Sequence, residues 1–455
     1  MTLLPTPLGT HRPAAARADL REMDGRLVAW AEVDGMRPGG SGEAEADVVD
    51  RALEMAGNVG CPVVVVLRSV AVDPGPEGLA GLAAWGRVAH RAVRLSGVVP
   101  LLVVVTGPVH GGLTPVLGLA DHVVVTRDAT AYLNGPQPVR QVTGIDVDAT
   151  TLGGSQIHAT RTGLASLVAE DLDDAVHAVA ELLGYLPDNH LAEPPSGDVT
   201  DPVGRRSTRA AAIVPAESRR AYDVRAVLED VFDRASVLEV HPDHAPNLVC
   251  AFARLGGRSV AVVANQPAVR AGTLDIAASC KGARHVQGAD ALGIPLVTFV
   301  DTPGYEPGRD LEWRGMIRHG AKLVHAYASA SVPRLGVVLR KAYGGAYIVM
   351  DSRTMGNDLV LAWPRAEIAV MGAPGAVAIL NRREVADAAD PDAARVLLED
   401  QYRERYCTPE IAAERGYVDA VIDPADTRPL LASALRRLAA KRPTTARRAH
   451  DNGPL

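Results

Sequence analysis

Apolar residues along this chain follow two different periods. Runs such as Cys61–Leu67, Leu101–Val105 and Leu296–Val300 are continuously aliphatic, as in strands buried on both faces of a parallel sheet. Between them, apolar positions recur three and four apart; Ala46–Ala56 carries Val48, Val49, Leu53 and Met55 on or near one side, which suits a helix. The pattern predicts strand Leu27–Val33, a Gly-rich turn over 34–45, helix Ala46–Ala56, strand Cys61–Leu67 and helix Leu79–Leu95. Strand Leu101–Val105, a short helix, strand His122–Val125 and helix Asp171–Tyr185 complete a first series. A second series begins with helix Val224–Phe232, strands Leu248–Ala253 and Ser259–Ala264, and helix Ser279–Leu292. Strand Leu296–Val300, helix Gly315–Ser329 and strand Leu335–Leu339 follow. Strands alternating with helices imply βαβ units and an α/β architecture.

The two series repeat one another. Gly111-Gly112 and Gly344-Gly345 stand 233 positions apart, as do Gly60-Cys61-Pro62 and Gly293-Ile294-Pro295, and Val99-Pro100 and Val332-Pro333. One offset shared by three separate landmarks implies an internal duplication, with a glycine pair closing a strand in each copy. Backbone N–H groups at a strand-to-helix turn can hold an oxygen on which negative charge develops. Two such turns suit chemistry between two carbonyl compounds. Residues 193–219 carry Pro, Gly, Ser and Arg without apolar periodicity and read as a linker. The expected organisation is a loose segment 1–19, a domain 20–195, a linker 196–220, a domain 221–440 and a disordered tail 441–455.

Composition narrows the function classes. The 455 residues are 47% hydrophobic but only 4% aromatic, enough for two large aliphatic cores. A net charge of −7 gives no electrostatic footprint for nucleic acid. Cys61, Cys250, Cys280 and Cys407 are scattered with no C-x-x-C, so neither a metal site nor a disulfide framework is indicated, and a reducing cytoplasm fits. The apolar runs are too short to span a bilayer, and no secretory leader is expected. Lysine occurs only at 281, 322, 341 and 441 against 43 arginines, and three of the four fall within 281–341.

That same region is richest in punctuated motifs. It holds Asn265-Gln266-Pro267, Asp301-Thr302-Pro303-Gly304-Tyr305, Arg318-His319-Gly320-Ala321-Lys322, Lys341-Ala342-Tyr343-Gly344-Gly345-Ala346-Tyr347, Ala362-Trp363-Pro364 and Met371-Gly372-Ala373-Pro374-Gly375-Ala376. The first half holds Thr106-Gly107-Pro108-Val109-His110-Gly111-Gly112, Leu133-Asn134-Gly135-Pro136, Leu152-Gly153-Gly154 and Leu183-Gly184-Tyr185-Leu186-Pro187. Together, over about residues 46–440, these resemble the carboxyltransferase (β) subunits of biotin-dependent acyl-CoA carboxylases of the propionyl-CoA carboxylase type. The resemblance implies two tandem crotonase-like domains related by duplication. It also implies an enzyme moving CO2 from carboxybiotin to the α-carbon of an acyl-CoA.

What the resemblance implies residue by residue is specific. The amides of Gly111 and Gly112 would hold the thioester enolate, and those of Gly345 and Ala346 the biotin carbonyl. Tyr343, Gly344, Gly372 and Ala373 would line the biotin side; His110, Asn134, Gly135, Pro136 and Ile348 the acyl-thioester side. Ile348 stands where propionyl-type members often carry Asp, which makes the acyl pocket apolar and its selectivity open. No Ala-Met-Lys-Met biotinylation site or G-x-x-x-x-G-K-[ST] loop occurs. Biotin would therefore come in trans from a biotin carboxylase and carrier (α) subunit, with ATP not bound here and no metal. Family members form hexamers, whose sites join the first domain of one protomer to the second of its neighbour. His319 and Lys322, at i and i+3 of a predicted helix, suit either an anionic ligand or an exposed face, and Asp301 reads as a turn former.

The first half also departs from the pattern. Where the family has Asp-Ser-Gly-Gly-Ala-Arg, this chain has Arg68-Ser69-Val70-Ala71-Val72-Asp73, and only Glu77-Gly78 survives of the following signature. Side chains at Val70 and Ala71 imply another path for the backbone. The shortened Met36–Gly42 segment points the same way. Three readings follow: a carboxyltransferase, an acyl-CoA decarboxylase of malonyl or methylmalonyl type, and a non-catalytic β subunit partnering an intact paralogue. Delivery of the acyl group on CoA or on a carrier protein stays open.

Overall fold

The computed structural model describes residues 16–34, 42–71, 78–111, 113–199, 201–441 and 452–454. The chain divides into two compact units: Met1–Pro195 with Val240–His244 and Ala291–Gly293, and Ser196–Glu239 with Ala245–Asp290 and Ile294–Leu455.

In the first unit, β1 (Ala16–Met23), β2 (Arg26–Asp34), β3 (Val63–Ala71), β4 (Leu101–Val105), β6 (His122–Thr126) and β8 (Leu167–Ala169) form a sheet in that order. Two short strands, β5 (Pro108–His110) and β7 (Thr130–Tyr132), leave this path, β5 pairing with β3 and β7 with β5. The β1–β2 pairing is antiparallel; β2 through β8 run parallel, consistent with their uninterrupted Val-rich sequences. Helices Glu43–Val59 and Gly78–Leu95 bury Val48, Leu53, Trp85 and Val88 against Val63, Val65 and Val103. The first of these helices stops at Gly60, whose left-handed φ of 75° lets its N–H cap Ala56 O at 2.8 Å.

The second sheet contains β9 (Leu238–Val240), β10 (Leu248–Leu255), β11 (Arg258–Asn265), β12 (Leu296–Thr302), β13 (Arg334–Tyr343), β14 (Leu359–Ala362), β15 (Glu367–Ala369) and β16 (Ala420–Val421). Its order is β16-β14-β13-β12-β11-β10-β9, with β15 on the end of β13. The duplication is therefore a duplication of topology: β1, β2, β3, β4, β6 and β8 match β10, β11, β12, β13, β14 and β16. At the offset of 233, Val63 falls on Leu296 and Leu101 on Arg334, each the first residue of a strand, and Glu43 falls on Ile276, where the matching helix begins. Beyond the glycine turns the offset grows to 237, matching β6 to β14 and β7 to β15.

Several expectations change. Ala16–Asp19, read as loose, belong to β1, where Ala16 pairs with Val33. The continuous strand from Val63 runs on to Ala71, with Val70 paired to Val109. Most of the Gly-rich turn (35–41), residues 72–77 and most of the tail (442–451 and 455) lie outside the described residues. Asp301 does not turn the chain. It is buried within β12, because its carboxylate has strong donors there and no need of its own backbone. Helices Ala373–Leu380 and Pro391–Tyr406 were not legible, since Pro391–Tyr406 buries no residue within its own chain.

Candidate active site

In the first unit, β5 and β7 bring His110 beside Tyr132, their rings stacked with centroids 4.9 Å apart and planes within 3°. A β-carbon on Gly135 would lie 3.3 Å from the other part of this site, the Tyr132 ring, so the Asn134-Gly135-Pro136 bend packs against it. Gly135 precedes helix Pro136–Thr143, with Pro136 in its first turn, and Asn134 is exposed. Burial pushes the His110 imidazole down from its ordinary pKa, favouring the neutral ring.

Gly111 adopts a φ of 92°, which a side chain would resist. Its N–H donates to Tyr132 O at 3.2 Å, and its carbonyl accepts from Thr114 N at 3.1 Å and Thr114 Oγ1 at 2.9 Å. The expected use of the Gly111 amide as an open donor is therefore corrected: that amide is spent on the β7 carbonyl. Register explains the error. The offset aligns Gly111 with Gly344, so the counterparts of Gly345 and Ala346 are Gly112 and Leu113. Gly112 lies outside the described residues.

In the second unit, β13 ends at Tyr343 and helix Gly344–Val349 begins at once. Gly344 makes the corner with a φ of 57°, while Gly345 and Ala346 carry first-turn N–H groups that no intrahelical carbonyl reaches. Gly345 is exposed and Ala346 is buried. The Tyr305 ring packs between Gly345 and Gly320, 3.5 Å and 3.3 Å from where their β-carbons would stand. Burial raises the Tyr305 phenol to about 12, so it stays protonated.

Tyr343 links this turn to a second one. Its ring lies 3.0 Å from where a β-carbon of Gly372 would be, and Gly372 caps helix Ala373–Leu380, whose first residue Ala373 is buried. The Tyr343 hydroxyl donates to Glu367 of β15, and burial together with that carboxylate pushes its pKa upward. Thus Tyr343, Gly344, Gly345, Ala346, Gly372 and Ala373 are gathered in one place, with Ile348 46% exposed on the helix between them. His319 lies between Cys280 and Arg318, whose Nη2 is 3.2 Å from its Nε2. Its Nδ1 is 3.4 Å from Cys280 Sγ, and burial, Lys322 and Arg318 push its pKa down. Tyr132 and Glu367 were not singled out from sequence. A signal existed: with only 17 aromatic residues in the chain, tyrosines fall beside glycine turns at 132, 305 and 343.

The profile of the family described as the carboxyl transferase domain matches residues 20–452. The chain belongs to that family. This carboxyltransferase is 43% identical over 462 residues to the propionyl-CoA carboxylase beta chain of Saccharopolyspora erythraea, covering 96% of this chain and 84% of that one. It is 39% identical to the methylmalonyl-CoA decarboxylase subunit alpha of Veillonella parvula, over 95% of this chain and 84% of that one. Its fold superposes with a TM-score of 0.93 on the crystal structure of transcarboxylase 12S, a hexamer solved with methylmalonyl-coenzyme A and methylmalonic acid bound. That likeness covers 97% of this chain and 85% of the other at 42% identity, and it makes the carboxyltransferase a pair of tandem crotonase-like domains. Among its described residues, no helix is long and apolar enough to cross a membrane, and no three His, Cys, Asp or Glu side chains gather as a metal site.

Proposed function

We propose that the protein transfers a carboxyl group from carboxybiotin, carried in trans on a separate α-type subunit, to the α-carbon of an acyl thioester. The observation that carries this reading is the corner at Gly344, after which two first-turn amides project from a turn with no side chain at Gly345. Those donors fit biotin: a ureido oxygen on which negative charge would develop needs oriented N–H groups. When bound, carboxybiotin would supply the carboxyl group and, once the N–CO2 bond has broken, the freed nitrogen that takes the substrate α-proton. Gly345 and Ala346 hold the cofactor's carbonyl oxygen, and Tyr343, Gly372 and Ala373 shape the ground beneath it. By register, Gly112 and Leu113 take the thioester oxygen, with Gly111 as the corner that aims them. Removing one such donor costs about 10²–10³ in rate.

His110, Asn134, Gly135 and Pro136 serve the acyl thioester in this reading, and the exposed, apolar Ile348 serves acyl selectivity. One methylene against apolar side chains is worth only about 1–3 kcal/mol, so a family of short acyl groups is expected. Exposed Ile379, Leu380, Val396 and Leu397 on helices with little burial of their own support assembly into a homo-oligomer of the hexameric kind. The test is purified protein with a biotinylated α partner, ATP and labelled bicarbonate against a panel of acyl-CoA and acyl-carrier thioesters. Labelled carboxylated thioester is expected, and its absence across the panel would sink the reading.

A second reading is favoured by the identity to a methylmalonyl-CoA decarboxylase subunit. The same oxyanion donors serve the reverse step. CO2 release from methylmalonyl-CoA, without net carboxylation in the assay above, would select it.

A further inference from the structure

Between β12 and β13 the ladder breaks at one residue. Val300 pairs with Val338 and Thr302 with Ala342, so Asp301 alone faces Leu339, Arg340 and Lys341. A bulge of this kind re-aims the strand that carries it. The Asp301 carboxylate fills the gap: Oδ1 accepts the Lys341 backbone N–H at 3.1 Å, and Oδ2 accepts Arg340 Nε at 3.0 Å and the Tyr222 hydroxyl at 2.8 Å. Arg340 also donates to Glu217 O at 3.0 Å and Arg220 O at 2.9 Å. The Asp301 and Arg340 side chains are 1% and 5% exposed. From Lys341 the strand pairs anew, Lys341 with Glu367 through Tyr343 with Ala369, and then reaches Gly344 and the two open amides.

The first copy closes the break in another register: Leu67 pairs with Val105 and Val70 with Val109, so Arg68 and Ser69 together face Thr106, Gly107 and Pro108. Its equivalents of Asp301 and Arg340 are Arg68 and Gly107, and a β-carbon on Gly107 would overlap Arg68 O at 1.7 Å. Backbone packs directly on backbone there, and a side chain does the work in the second copy only. We propose that Asp301 is the positioning residue of the Gly345–Ala346 turn. By fixing the Lys341 amide across the bulge, it sets where the β13–β15 ladder restarts and where the donor amides point. This rests on the carboxyltransferase reading for its effect on rate.

The experiment uses the full chain with its biotinylated partner and compares Asp301→Ala, Tyr222→Phe and the double variant Asp301→Leu/Arg340→Met. The double variant removes the buried charges together at similar volume, which is commonly neutral for folding, so it serves if Asp301→Ala fails to fold. Expected for both Asp301 variants are a fall in kcat of about 10²-fold with KM for the acyl thioester unchanged, and faster amide hydrogen exchange in the 341–346 peptide. Tyr222→Phe loses a bond to the same carboxylate but keeps the Lys341 contact, and is expected to leave both readouts as in the wild type. The proposal is overturned if the Asp301 variants keep their kcat, if Tyr222→Phe loses as much, or if exchange at 341–346 does not change. Should the wild type transfer no carboxyl group, the reaction reading fails while hydrogen exchange still decides the role of Asp301.

Discussion

The ring of Tyr343 lies 3.0 Å from where a β-carbon on Gly372 would stand, so these two residues fit only because one of them has no side chain. The ring is also held at its far end, where the hydroxyl bonds to Glu367. Gly372→Ala must therefore push the ring or the turn aside, which overpacking costs put at about 1–3 kcal/mol. A lower denaturant midpoint with an unchanged m value is expected, together with slower carboxyl transfer. Wild-type stability would show that ring and turn are not coupled.

Gly344 and Gly345 separate stability from activity. At Gly344 the φ of 57° penalises any side chain, and a β-carbon would approach Val370 O to 3.2 Å. Gly344→Ala is expected to lose about 1–2 kcal/mol. Gly345 has no such φ, and its β-carbon would meet the Tyr305 ring at an ordinary 3.5 Å. Gly345→Ala should keep or gain roughly 0.5–1 kcal/mol through reduced chain entropy, yet lose about 10²–10³ in kcat by blocking the donor face. Denaturation curves and kcat for the pair check this, and the reverse pattern would remove Gly345 from the donor set.

Duplication and sheet content were legible because both rest on local signals, namely continuous Val runs and glycine pairs at one spacing. The short strands β5, β7 and β15 were not, since each is three residues long and pairs beside a glycine turn rather than along a hydrophobic run. The misplaced donor at Gly111 has the same origin. Glycine pairs mark the corner, but which amide is free depends on what β7 accepts, and sequence does not show that partner. Asp301 was misread because a strand-end aspartate ordinarily bonds its own backbone, and here Arg340 and Tyr222 arrive from 39 and 79 residues away.

Arg428 is fully buried and donates from Nη2 to Asp233 at 2.6 Å and from Nη1 to Val231 O at 2.9 Å. Asp233 in turn accepts from the backbone of Gly256 and Gly257 at 3.0 and 2.7 Å, which fastens the β10–β11 hairpin. Arg428→Ala leaves that carboxylate without its cation, and a loss of about 3–5 kcal/mol is expected. Arg428→Lys should restore little, because an ammonium cannot reproduce the guanidinium fork. Urea unfolding of both variants tests this; full rescue by lysine would mean that charge alone matters.

His285 is expected to make the second unit sensitive to mild acid. Its ring is buried, tilted against Phe252 at 5.1 Å between centroids, and Nε2 donates to Ala251 O at 3.1 Å. Burial chiefly, with the nearby Lys281 charge, pushes its pKa from 6.5 down to about 4. The unfolded chain therefore binds a proton below pH 6.5 that the folded chain refuses until about pH 4, so stability falls as pH drops through that window. At 1.36 kcal/mol per unit the loss from this one group approaches roughly 3 kcal/mol. His285→Gln removes the titration, so its unfolding free energy should be flatter between pH 6.5 and 4 by up to one proton's slope. Parallel curves for the two proteins would show that His285 is protonated in the native state and that its burial does not govern acid stability.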